Sequence, residues 1–152
     1  ALLDRAILVG RNPDEIMDAV IEAVRPVDGT QDAEASRAAI RDALSELLAR
    51  YENADLLQLT DEQREFAVER FTANDVVRRF ELDTGQVVID KAPTTAAGLA
   101  RLKEIRSYIK QTVAASFRTL KQAGSRLSSG KVAQVVRDAL RETFTVFEEY
   151  VS

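Results

Sequence analysis

Apolar positions recur along this chain at intervals of three and four residues, the spacing of one face of an α-helix. The opening ALLDRAILVG reads as a short helix, apolar at Leu2, Leu3, Ile7 and Leu8 and closed by Gly10. A second helix starts at the N-cap Asn12, with Pro13 in the first helical position and Asp14 and Glu15 at the positive end of the dipole. Ile16, Val20 and Val24 form its stripe, and Pro26 stops it. A third helix is expected over residues 30 to 52, with Ile40, Leu44, Leu47, Leu48 and Tyr51 in register. Thr60 and Gln63 have the spacing of a capping box and open a fourth, apolar at Phe66, Val76, Val77 and Phe80 and ending between Asp83 and Gly85.

Two long helices follow. One is capped by Thr94 or Thr95 and runs to Gln122, with Leu99, Leu102, Ile105, Ile109, Val113, Phe117 and Leu120 in its stripe and Gly124 at its end. The other runs from Gly130 to Tyr150 and has the cleanest amphipathic pattern, with Val132, Val136, Ala139, Leu140, Thr143, Phe144 and Phe147 on one side. Only QVVIDKAP breaks the pattern. Val87, Val88 and Ile89 are β-branched and lie between Gly85 and Pro93, so residues 86–90 are expected to be an extended segment. The prediction is an all-α bundle of about six helices with short connections between antiparallel neighbours.

Composition agrees with helix. The chain has 152 residues, 45 % of them hydrophobic and 30 % charged, with only six Gly and three Pro to interrupt it. That length suits a single helical domain spanning residues 1–152. The first residue is Ala and begins mid-pattern, so the chain is expected to be the C-terminal part of a longer protein. No apolar run approaches the roughly 20 residues that span a bilayer, and no signal segment opens the chain, so a cytoplasmic location is expected.

Neither His nor Cys occurs. That excludes disulfides, imidazole and thiolate chemistry, and the usual zinc ligands, leaving oxygen-only sites for magnesium or calcium. The acidic turn VRPVDGTQDAEASRAAI is one candidate. A calcium-binding EF-hand loop starting at Asp28 needs Gly at its sixth position and Glu at its twelfth, but these are Ala33 and Ala39. It has one Gly and no following Lys, so it is not a phosphate loop either. Asp28 or Thr30 instead caps the next helix, with Asp32 and Glu34 in its first turn. Asp61, Glu62, Glu65 and Glu69 crowd two turns, but Arg64 lies among them and a solvated face explains them. The hydroxyls of Tyr108, Tyr150, Ser128 and Ser129 have no base at a recognisable spacing. The expectation is a protein that is not an enzyme, with no catalytic residue, metal or cofactor.

Charge is distributed unevenly. Residues 1–100 hold 11 Lys and Arg against 20 Asp and Glu, a balance of −9. Residues 101–141 hold 10 against 2, a balance of +8, and the last stretch adds three Glu. Lys103, Arg106, Lys110 and Lys121 fall along one flank of the long helix's stripe and form the candidate partner-binding surface. Three uses of this basic zone stay open: an internal match to the acidic front helices, a protein partner, or a nucleic-acid backbone with few rings to stack on bases. Self-association as a structural module is a further alternative.

VRPVDGTQDAEASRAAIRDALSELL followed by LLQLTDEQREFAVERF resembles the C-terminal helical region of QatB-like proteins of the Qat anti-phage defence systems. Pro26, Asp28, Gly29, Thr60, Glu62 and Gln63 match in order, as do Asp83, Gly85, Val88, Ile89 and Pro93 in FELDTGQVVIDKAPTTAAGLARLKEI. The resemblance implies a non-catalytic subunit that docks to other members of the system, namely an ATPase, a QueC-like protein and a TatD-like nuclease. The matched residues are caps, turns and breakers, so the resemblance implies no catalytic residue.

Overall fold

The computed structural model describes residues 33–55, 58–125 and 128–151. Among them are five helices: α1 (Ala33–Arg50), α2 (Asp61–Lys91), α3 (Thr95–Gln122), α4 (Ser129–Val146) and the single turn α5 (Glu148–Val151). No strand occurs among the described residues, as expected of an all-α chain. The first two predicted helices and the acidic turn at Asp28 lie outside the described residues. The chain divides into two compact units, Ala1–Phe71 and Thr72–Ser152, and α2 contributes to both.

In the first unit, α1 buries Ala39, Ile40, Ala43, Leu44 and Leu47, which recur at helical spacing. Leu48, predicted to join them, is exposed, because it lies about 100° around the helix from Leu47. The Tyr51 ring meets Phe66 edge-on, with centroids 5.7 Å apart. The capping box forms as its spacing predicts. The Gln63 N–H donates to Thr60 Oγ1 at 3.1 Å, and the Thr60 N–H donates to Gln63 Oε1 at 3.0 Å.

The second unit is an antiparallel arrangement of Thr72–Lys91 of α2 with α3 and α4. Val76, Phe80 and Val88 of α2 are buried, together with Leu102, Ile105, Ile109, Val113 and Phe117 of α3. From α4 come Val132, Val135, Val136, Ala139 and Thr143, and Phe147 follows at its C-cap. The rings of Phe80 and Phe144 lie 4.9 Å apart. Thr143 is fully buried, and its hydroxyl donates to the Ala139 carbonyl at 2.6 Å, so the core contains no open donor there.

The extended segment predicted for residues 86–90 is corrected. α2 runs unbroken through Gly85 to Lys91, and the turn to α3 is made by Ala92, Pro93 and Thr94. Packing overrides the β-propensity of the Val-Val-Ile run, because Val88 is fully buried and Ile89 lies against the start of α3. A Cβ on Gly98 would stand 2.8 Å from Ile89 Cα, so only glycine permits this approach of the two helices. Gly98 therefore occupies the contact position, and Leu99, predicted to begin the buried stripe, turns outward and is 55 % exposed.

Both ends of α3 are capped. Thr94 is the N-cap, accepting from the Ala97 N–H at 3.0 Å. At the other end Gly124 has φ of 70°, the Ser125 N–H donates to the Leu120 carbonyl and the Gly124 N–H to that of Lys121, both at 3.0 Å. These are the two bonds of a Schellman motif. Ser128 caps α4, accepting from the Lys131 N–H at 3.2 Å.

Candidate functional site

The antiparallel register brings the start of α3 beside the end of α4. An open groove of about 740 Å³ lies between them. Its lining includes Ala100, Lys103 and Tyr108 from α3, with Val146, Phe147 and Tyr150 opposite. Tyr108 meets Phe147 edge-on at 5.3 Å between centroids, and Phe147 lies 5.7 Å from Tyr150. The Arg101 guanidinium sits 4.5 Å from the Tyr150 ring centroid, a cation–π contact. Val146 is 52 % exposed, and exposed Leu99 lies one turn before Lys103 on α3.

Two hydroxyl–carboxylate bonds tie the walls together. Tyr108 O–H donates to Glu142 Oε1 at 2.8 Å, and Tyr150 O–H donates to Glu104 Oε2 at 3.2 Å. Burial raises the Tyr108 pKa above the ordinary tyrosine value, the hydrogen bond to Glu142 adds to this, and Thr112 opposes it. The Glu104 charge raises that of Tyr150, helped by burial. Both phenols are thereby held as protonated donors. That is the opposite of what a tyrosine nucleophile or base requires.

The four residues singled out on the basic flank have separate surroundings. Lys103 lines the groove. Arg106 Nε donates to Glu81 of α2, which raises the Arg106 pKa through that bond and realises the internal match of acidic to basic helices at one position. Lys110 is half-buried, and Lys121 is exposed in the last turn of α3. The acidic residues at the start of α2 are partnered or solvated. Asp61 pairs with Arg64 at 2.6 Å, Glu62 accepts from the Tyr51 hydroxyl at 3.2 Å, and Glu65 is exposed. Among the described residues no group of three or more His, Cys, Asp or Glu is arranged to hold a metal ion. Among them, too, no helix is long and apolar enough to cross a membrane.

Periodicity alone does not find the groove. It depends on contacts between residues 46 apart, such as Tyr150 with Glu104. The visible signal in the sequence is the clustering of Phe147 and Tyr150 at the end of the last amphipathic stripe.

Comparison with known proteins gives one family. The profile described as "Qat anti-phage system associated protein QatB" matches residues 2–147. No curated protein and no solved structure gives a significant match. With nearly its whole length matched, the chain belongs to the QatB family and is a component of an anti-phage defence system of the Qat type.

Proposed function

We infer that this chain acts as a non-catalytic docking subunit, and that its groove receives another protein of the Qat system. Val146 carries this reading: it is a large apolar side chain left exposed in the groove lining, next in sequence to Phe147 of the ring cluster that Tyr108, Phe147 and Tyr150 form. Apolar and aromatic anchors surrounded by polar groups are the composition of a protein-binding surface. Lys103, Glu104 and Glu149 supply the polar lining. A sequence without His or Cys supports a non-catalytic role. Lys103 is the member of the basic flank that this surface uses directly, and Arg106 holds Glu81 behind it.

Co-purification with the system's ATPase, QueC-like and TatD-like proteins tests the reading. Val146→Lys is expected to abolish capture of at least one of them while leaving the thermal melt unchanged, because Val146 is exposed. Capture equal to wild type in a folded variant would sink the assignment.

A further inference from the structure

The opposite end of the α3–α4 hairpin has a different character. From Ile105 to Arg137 the sequence contains seven Lys and Arg and no Asp or Glu. This run forms most of α3, the turn that follows it and the first half of α4. Arg118, Lys121 and Lys131 are exposed there. The exposed positions between the cations are amide, hydroxyl or small: Ala115, Thr119, Gln122 and Gly130. The Schellman bonds at Gly124 fix the end of α3, and the Ser128 cap fixes the start of α4.

Exposed cations of this kind attract a polyanion. The choice between an acidic protein and a nucleic acid turns on what else is exposed. Among the described residues no large apolar side chain is exposed between Ala100 and Thr145. Phe117 is buried, and the Tyr108 ring packs on Phe147 at the other end. Built from the described residues, a protein interface here would lack the apolar and aromatic anchors that carry affinity. A phosphate backbone needs none, since Lys and Arg neutralise it and Ser, Thr, Gln and main-chain groups add hydrogen bonds. The lack of exposed rings also removes base stacking, the usual basis of a preference for single strands.

We propose that the Arg118–Lys131 end of the α3–α4 hairpin binds the phosphate backbone of nucleic acid without reading its sequence. This site is distinct from the protein-docking groove, so each surface can fail its test without the other. Binding rests on counterion release and weakens steeply with salt. Three neutralised phosphates alone give a slope of log affinity on log salt of about −3 for duplex DNA.

Fluorescence anisotropy of the full chain with a labelled duplex of mixed sequence, titrated at several NaCl concentrations, tests the proposal. Wild type is expected to bind at low salt with a slope of about −3 or steeper. The variant Arg118→Gln/Lys121→Gln/Lys131→Gln is expected to bind at least about tenfold more weakly at low salt, with the slope flattened by about 3. Lys91→Gln, at an exposed position in the last turn of α2, should leave binding unchanged. Thermal melts confirm that the triple variant is folded, as expected for three exposed positions. Poly-glutamate serves as the protein-like polyanion. Failure of wild type to bind at low salt, wild-type affinity in the triple variant, or equally tight binding of poly-glutamate would overturn the proposal.

Discussion

Gly85 and Gly98 both lie in helices of the second unit, and replacing either with alanine should raise helix propensity by about 1 kcal/mol. Their surroundings separate them. At Gly85 an added Cβ meets only Glu81 Cβ at 3.5 Å, an ordinary contact, and φ is not positive. Gly85→Ala is therefore expected to stabilise the protein by about 0.5–1 kcal/mol. At Gly98 the new Cβ meets backbone, the Ile89 Cα at 2.8 Å, and the two helices must separate. Overpacking of this kind costs about 1–3 kcal/mol, so Gly98→Ala is expected to be destabilising in spite of its propensity gain. Urea melts of the two single variants check both signs. Stabilisation by both would mean that the α2–α3 approach is looser than Gly98 indicates.

At the level of elements, caps and stripes were legible in the sequence and partners were not. Thr60 with Gln63, Thr94 and Ser128 all cap where their spacing places them, because capping is a bond between near neighbours. The stripes of α3 and α4 are buried almost as periodicity orders them, and even Thr143 keeps its place. The end of α2 was not legible, because Gly85 and three β-branched residues locally favour an extended chain. The contact that keeps them helical comes from Gly98, on the next helix. Leu99 reads as core for the same reason, since periodicity cannot tell which of two adjacent positions meets a neighbour. The candidate site was partly legible: Lys103 was visible as a cation beside an apolar stripe, whereas the pairing of Tyr150 with Glu104 required the hairpin's register. A proline placed at Val87 distinguishes the two conformations of this segment. Val87 is an exposed interior position of α2, so Val87→Pro is expected to cost about 3 kcal/mol or more. In an extended linker the same change would be nearly neutral, and a melt within about 0.5 kcal/mol of wild type would restore the linker.

Across the whole molecule the three tyrosines are used alike. Tyr51 donates to Glu62, Tyr108 to Glu142 and Tyr150 to Glu104, each joining residues far apart in sequence. Each has a pKa raised above the ordinary value of a tyrosine. For Tyr51 and Tyr108 burial is the larger cause, and for Tyr150 it is the Glu104 charge. The sign of the linkage follows. The folded state holds these protons to higher pH than the unfolded state, whose tyrosines ionise near pH 10. Their stabilisation is therefore complete below about pH 10 and declines as pH rises from there through the folded pKa values. Lysines also discharge in that range, so wild type alone cannot isolate the tyrosines. The comparison is with Tyr51→Phe/Tyr108→Phe/Tyr150→Phe, which keeps the rings and their packing but removes the donors. Urea melts of both proteins between about pH 7 and pH 11 should show a stability difference that is constant to about pH 9 and shifts against wild type above about pH 10. A difference unchanged to pH 11 would mean that the three phenol–carboxylate bonds do not persist in solution. The groove would then lose the ties between Glu104 and Tyr150 and between Tyr108 and Glu142 that hold its walls together.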